Sequence, residues 1–257
     1  PTLYFAEGIP YFIVNNISVV MFKNMGMPNG QLALYTSMLY LPWVIKPLWS
    51  PFVDIIKSKR WWIVTMQILM TVAMLALPCL LPQTTGEAIV QTPLFFVTLA
   101  LFWVTAFASA THDIAADGFY MLGLDTGTQA EFVGIRSTFY RLSSIFGQGV
   151  LVVIAGLLET RLADVPNAWS LTLLISAVMF SVLTIWHLGG LPKPVTDRSS
   201  AQDNLQSAKS IIKDFVRTFV TFFQKKHIWI AMAFMLLYRL PEAFLVKMMN
   251  PFLLDGH

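Results

Sequence analysis

Long apolar runs constrain this chain more than any other feature. A helix that crosses the hydrocarbon of a bilayer needs about 20 mostly apolar residues. Seven stretches qualify: Leu3 to Phe22, Leu32 to Val53, Trp61 to Leu81, Leu94 to Leu122, Phe132 to Leu158, Trp169 to Leu188 and Ile228 to Leu254. Charged residues make up 12% of the chain and hydrophobic ones 56%, whereas soluble domains carry about 25% charged residues. So little polar surface cannot cover a globule in water, and the solvent that fits is a bilayer. The 14 prolines and 14 glycines do not oppose this, because transmembrane helices tolerate both. The expected fold is therefore all-α and transmembrane.

The formal net charge of +3 does not indicate a nucleic-acid partner, because the basic residues fall in particular loops rather than on one face. Lys57, Lys59, Arg60, Lys193, Arg198, Lys209, Lys213, Arg217, Lys225 and Lys226 lie on one side of the membrane, and Lys23 and Arg161 on the other. Basic loops stay in the cytoplasm, so the N-terminus is expected there. Cys79 sits alone in an apolar run and can form no intrachain disulfide. The start lacks the layout of a secretory signal peptide. It opens inside an apolar segment, so a few preceding residues are expected.

Three segments follow from these patterns. Residues 1–190 read as a six-helix bundle. Residues 191–226 read as a cytoplasmic linker, in which Leu205, Ala208, Ile212, Phe215, Phe219 and Phe222 recur at helical spacing opposite Lys209, Lys213 and Arg217. That is the pattern of an amphipathic helix at a membrane surface, or of a plain tether. Residues 227–257 read as the first, truncated helix of a second bundle. Six spans, a basic linker and a new span are the layout of a two-half transporter at its midpoint.

Ionisable groups inside spans are costly and face a cavity or a partner. This chain has Glu7, Lys46, Asp113, Asp117, Arg136, Arg141, Arg239, Glu242 and Lys247 there. Asp113 and Asp117 are four apart and share one helix face. Ser137, Arg141, Ser144 and Gln148 make a polar stripe on the fifth span, and Glu7, Tyr11, Asn15 and Ser18 another on the first. Stripes on three helices suggest a shared aqueous cavity. Asp113, Asp117 and Glu7 are candidates to carry a proton, because adjacent buried carboxylates favour sharing one. Arg136, Arg141 and Lys46 are candidates to hold carboxylate or phosphate groups of a substrate, with Tyr11, Asn15 and Gln148 as further contacts. The structural alternative is that Asp113, Asp117, Lys46 and Arg141 neutralise one another and hold helices together. Asp54 with Lys57, Lys59 and Arg60 reads as a latch of helix ends, and Arg239 with Glu242 as a pair within the seventh span. His112 points away from Asp113 and reads as a packed or interhelical histidine. His187, His227 and His257 are scattered, so no metal-ligand spacing appears, and no phosphate loop or nucleophile motif points to a cofactor or an enzyme. Trp61, Trp62, Trp169 and Trp229 read as interface anchors.

Five segments together resemble the AmpG-type muropeptide permeases, a branch of the major facilitator superfamily that also holds acetyl-CoA transporters. They are residues 4–10 (YFAEGIP), 46–54 (KPLWSPFVD), 109–118 (SATHDIAADG), 140–142 (YRL) and 237–244 (LYRLPEAF). Their order and their places in the spans agree with that family along the whole chain. The resemblance implies a transporter of twelve or more helices in the bacterial inner membrane. It would import anhydro-muropeptides with protons, and this chain would be its N-terminal portion. It marks Lys46, Asp54, Asp113, Asp117, Arg141, Arg239 and Glu242 as matches to the family's charged pattern. Ile55 departs from the superfamily, where many members place arginine after the loop aspartate. The implied partners are the bilayer, an anionic small molecule, protons and the second half of the transporter. The rival readings are a transporter of another organic anion such as acetyl-CoA, or of a sugar, and a membrane receptor that binds wall fragments without moving them.

Overall fold

The computed structural model describes residues 1–194 and 197, then 213, 216–217, 220–221, 223–235 and 237–238; for Asp54, Ile55 and Thr126 it describes the backbone alone. The chain divides into two compact units, Pro1–Asn204 and Leu205–His257. In the second unit residues 228–235 are helical. From residue 239 on, the expected seventh span, with Arg239, Glu242 and Lys247, lies outside the described residues, as does most of the expected amphipathic linker.

The first unit is helical throughout, and no strand occurs among the described residues. Five stretches are long and apolar enough to cross a membrane: Thr2–Asn24, Lys59–Leu80, Pro93–Gly123, Gly127–Leu162 and Val165–Gly190. They match the first, third, fourth, fifth and sixth expected spans. Their starts are set by capping chemistry. Ser58, Thr92, Asp125 and Asp164 each accept a hydrogen bond from a backbone N–H in the first turn of the helices α6 (Lys59–Leu80), α7 (Pro93–Gly123), α8 (Thr126–Ile145) and α10 (Val165–Gly190), which satisfies groups that a helix cannot pair internally. Asp125 also accepts from the Thr128 hydroxyl at 2.5 Å. These bonds hold its carboxyl below the usual carboxylate range. This cap lets the fifth span begin at Thr126, six residues before the position its hydropathy suggests.

The second expected span is not one continuous helix. It runs as α3 (Asn29–Ser37), a 3₁₀ turn at Met38–Tyr40, α4 (Leu41–Ile45), a second 3₁₀ turn at Lys46–Leu48 and α5 (Ser50–Ile56). Pro42, Pro47 and Pro51 explain the breaks, because each removes a backbone N–H and clashes with the preceding turn. Two other spans carry a π-helical turn. One, Ile13–Ile17, joins α1 (Thr2–Phe12) to α2 (Ser18–Asn24). The other, Phe146–Val150, joins α8 to α9 (Leu151–Leu162).

The first span is the hub, and most of its residues are buried. Helix α1 packs on α7, α8 and α10, while α6 lies between α7 and α10. Ile9, Ile13, Ile17, Met21 and Phe22 form the centre of the core with Met70, Met74, Phe95, Phe102 and Phe180. Phe22 meets Phe95 and Phe102 edge to face at 5.5 and 6.2 Å. Outward residues such as Val72, Val153, Val182 and Ile185 are exposed and apolar, as a lipid-facing surface requires. Trp61 and Trp229 are exposed as interface anchors would be, but Trp169 is fully buried. Its indole N–H donates to Glu159 at 2.6 Å, so it ties α10 to α9 instead of anchoring at the interface.

At one end of the bundle, Asp197 accepts from the backbone N–H groups of Lys59 and Arg60 at 2.6 and 2.9 Å. The Arg60 guanidinium in turn donates to the carbonyls of Leu188 and Leu191. An acid thus sits at a helix N-terminus and a base at a helix C-terminus, as the helix dipoles favour. Among the described side chains this end is held by Asp197 and by Arg60 through backbone carbonyls; the Asp54 side chain expected in this latch lies outside the described residues.

Close helix approach depends on two glycines. A Cβ at Gly8 would lie 1.8 Å from the Ser143 hydroxyl, and one at Gly147 would lie 2.7 Å from the Phe12 Cβ. Gly8→Val should therefore lower the thermal unfolding midpoint of the purified full-length protein, with overpacking costing about 1–3 kcal/mol. Gly149→Ala, which meets nothing within 4 Å, should leave it unchanged.

Candidate functional site

The candidate site collects side chains from spans one, two, four and five. Helix α7 contributes Asp113 and Asp117, and α1 contributes Glu7. Carboxylate oxygens of these three residues lie within 4.8 Å of one another. Lys46, on the 3₁₀ turn that Pro47 creates, forms an ion pair with Asp113. Arg136 on α8 pairs with Asp117 at 2.6 Å. Glu7 and Asp113 are buried at 8% and 9% exposure. The Glu7 Oε2 has no hydrogen-bond partner among the described residues. Both ionic pairs are partly open, with the Lys46 and Arg136 side chains about one third exposed (34% and 33%).

Aromatic side chains frame this cluster. The Arg136 guanidinium lies 4.4 Å from the Tyr4 ring centroid and 5.6 Å from that of Tyr120, within cation–π range of both. The Tyr4 hydroxyl donates to Asp117 at 3.4 Å. Further along the same face, Tyr11 stands edge-on to Trp43 at 5.1 Å and to Tyr40 at 6.4 Å. Asn15 donates to the Tyr11 carbonyl. Asn16 donates to Gln148 at 3.3 Å, and Gln148 donates to the Ser144 hydroxyl at 2.8 Å. The two π-helical turns therefore meet through their amide side chains.

The structure brings Glu7, Asp113, Asp117, Lys46 and Arg136 together, with Tyr11, Asn15 and Gln148 continuing their face. It does not bring in Arg141, which is exposed on α8 and makes no ion pair with a described residue. Of Asp54 only the backbone is described. Tyr4, Tyr40, Trp43, Asn16 and Tyr140 were not singled out from the sequence as site residues. A usable signal existed for Tyr4, which precedes Glu7 by three residues and so shares its helix face. The others became visible only with the helix rotations.

A second buried polar group lies behind α7. His112 is fully buried and meets Gln67 at 3.0 Å. Gln67 also meets His187, whose other ring nitrogen meets the Thr2 hydroxyl at 3.0 Å. Thr71 and Thr184 share a hydrogen bond of 2.9 Å nearby. His112 is thus the interhelical histidine its position suggests, tied by neutral bonds to α6, which is linked onward to α10 and α1.

The three carboxylates have the spacing of a cation site, but ammonium and guanidinium groups already engage two of them. Asp113 and Asp117 are better described as members of a charge network than as free ligands. A network of this kind can exchange partners: a carboxylate that gains a proton weakens its hold on a cation, and a cation that meets an outside anion can leave its carboxylate.

A family model described as the BT1 family matches residues 7–245. The chain belongs to the BT1 family. Within it, the chain is 26% identical to "Putative transporter AmpG 4" of Rickettsia felis, over 97% of this chain and 57% of that protein. It is 25% identical to the "Anhydromuropeptide permease" of Escherichia coli K12, over 99% of this chain and 48% of that protein. The chain spans about half the length of the curated relatives it matches. No solved structure matches it. The BT1 match and these AmpG-named relatives agree with the family that the sequence motifs point to.

If the ion pairs carry the structure as a network, single truncations should cost more than paired ones. In this BT1-family chain Lys46→Ala should lower unfolding stability by about 1–3 kcal/mol, reduced from the fully buried case by the partial exposure of Lys46. The double variant Lys46→Ala with Asp113→Ala should recover part of that loss, because Asp113 is then no longer left buried without its cation. Thermal unfolding of the two variants in one detergent checks this; equal losses would count against a coupled network.

Proposed function

We propose that this chain forms the N-terminal portion of a proton-coupled importer of anhydro-muropeptides, working by alternating access in the bacterial inner membrane with its N-terminus in the cytoplasm. The observation that carries this reading is the cluster of Glu7, Asp113, Asp117, Lys46 and Arg136 inside the spans. Charge at that depth is retained when it serves a polar pathway. The names of the relatives supply the substrate class.

In this reading the carboxylates carry the proton and the two cations receive the acidic end of the substrate. A proton arriving among Glu7 and Asp113 weakens the hold of Asp113 on Lys46. The released ammonium then takes a substrate carboxylate. Substrate and proton are thereby bound together, which is what symport requires. Arg136 acts in the same way against Asp117, with its guanidinium over the ring of Tyr4 and near that of Tyr120. Tyr11, Asn15 and Gln148 line the adjoining surface, and Arg141 faces outward from α8, available to the second half of the transporter.

The test uses the full-length protein in sealed vesicles with labelled anhydro-muropeptide. An imposed inward proton gradient should drive accumulation above equilibrium. Glu7→Gln and Asp113→Asn should abolish that accumulation while leaving exchange of internal for external substrate. Gradient-driven accumulation that survives in both variants would remove the proton role from these carboxylates. No uptake by folded wild-type protein would overturn the importer reading itself.

A further inference from the structure

We propose that Tyr11, Tyr40, Trp43 and Tyr140 form a subsite for a saccharide ring, placed beside the Lys46–Asp113 pair that meets the anionic end of the same molecule. This deepens the importer reading and rests on it for the nature of the ligand. The argument starts from ring chemistry. A pyranose presents an apolar face of C–H groups and a rim of hydroxyls. It is held where an aromatic face is open and hydrogen-bonding groups stand at its edge.

Three spans supply these parts. Tyr40 and Trp43 come from the broken second span, with rings 23° from parallel and centroids 6.4 Å apart. Tyr11, from α1, stands edge-on to both. Tyr140, from α8, reaches the group through Phe12 at 5.7 Å. The rings are not sealed into the core: Tyr40 is 44% exposed, and Tyr11, Trp43 and Tyr140 are half-buried. Tyrosine hydroxyls inside a span are costly against lipid alone, so this face suits a polar ligand. The edge groups are the amides of Asn16 and Gln148 at the paired π-helical turns. Such turns are often found at functional sites.

Position fixes how one molecule would lie. Tyr11 follows Glu7 by one helical turn, about 6 Å along the axis. A sugar ring on Tyr11 and Trp43 would then place a carboxylate attached to it within reach of Lys46. The broken second span is what brings Tyr40, Trp43 and Lys46 to this surface, with Pro42 between the two rings and Pro47 directly after the lysine.

Calorimetric binding to the full-length protein in lipid nanodiscs tests this with two probes, the peptide-free anhydro-disaccharide and the sugar-free stem peptide. The wild type should bind the disaccharide. Trp43→Leu and Tyr40→Leu should each weaken it by about tenfold, Trp43→Phe should restore most of the loss, and the affinity for the peptide should stay constant. The subsite is overturned if the folded wild type fails to bind the disaccharide, if both leucine variants bind it as tightly as wild type, or if affinity for the peptide falls in parallel. Vesicle uptake separates the two readings. Ring-dependent disaccharide binding without uptake of labelled muropeptide keeps the subsite and sinks the importer. Uptake without disaccharide binding does the reverse.

Discussion

Hydrocarbon offers no partner to a backbone amide or a charge, and the rest of this structure depends on that constraint. Helices satisfy the backbone, so every departure from a regular helix needs a local reason. The departures here are concentrated on one side. The π-helical turn at Ile13–Ile17, the 3₁₀ turn at Met38–Tyr40 and the π-helical turn at Phe146–Val150 pack on or next to one another. The 3₁₀ turn at Lys46–Leu48 sets Lys46 against Asp113. Helices α7 and α10, of 31 and 26 residues, run without such a break. Irregular backbone at membrane depth is tolerated where it lines a cavity or is covered by protein. The face that carries Tyr11, Trp43, Asn16 and Gln148 is therefore the one where a polar pathway costs least.

Much of this was legible in the sequence, and the boundary between legible and hidden follows from physics. Apolar run length gave five of the spans because bilayer thickness fixes it. The four-residue spacing of Asp113 and Asp117 placed both on one face because helical periodicity fixes that too. Pairing was different. Lys46 could serve either aspartate on the sequence alone, and the structure gives it to Asp113 while Arg136 takes Asp117. That choice depends on how each helix is rotated about its axis, which no single span encodes. Trp169 was misplaced for a related reason: tryptophan near a span end is usually interfacial, and only the neighbouring Glu159 reveals a buried hydrogen bond. The π-helical turns have no sequence mark. The prolines of the second span do have one, yet the spacing of Pro42, Pro47 and Pro51 in a run of suitable length still read as a single helix.

The two polar groups inside the bundle differ in kind. On the side of α6 and α10, Gln67 bonds His112 and His187, His187 bonds Thr2, and Thr71 bonds Thr184, with Gln67, His112, His187 and Thr184 buried. Neutral bonds of this sort have no competing ligand in an apolar interior, so breaking one leaves two unsatisfied groups. On the other side, Lys46 and Arg136 hold their carboxylates while remaining about one third exposed. Those bonds do have competitors, since a proton can take the carboxylate and an anion can take the cation. A bundle built this way keeps its helices fixed relative to one another at the back and offers exchangeable charge at the front. The alternating-access reading proposed above draws on that division, because a bundle that rocks as one body would couple to a cargo through bonds that change partners without loosening the helices behind them.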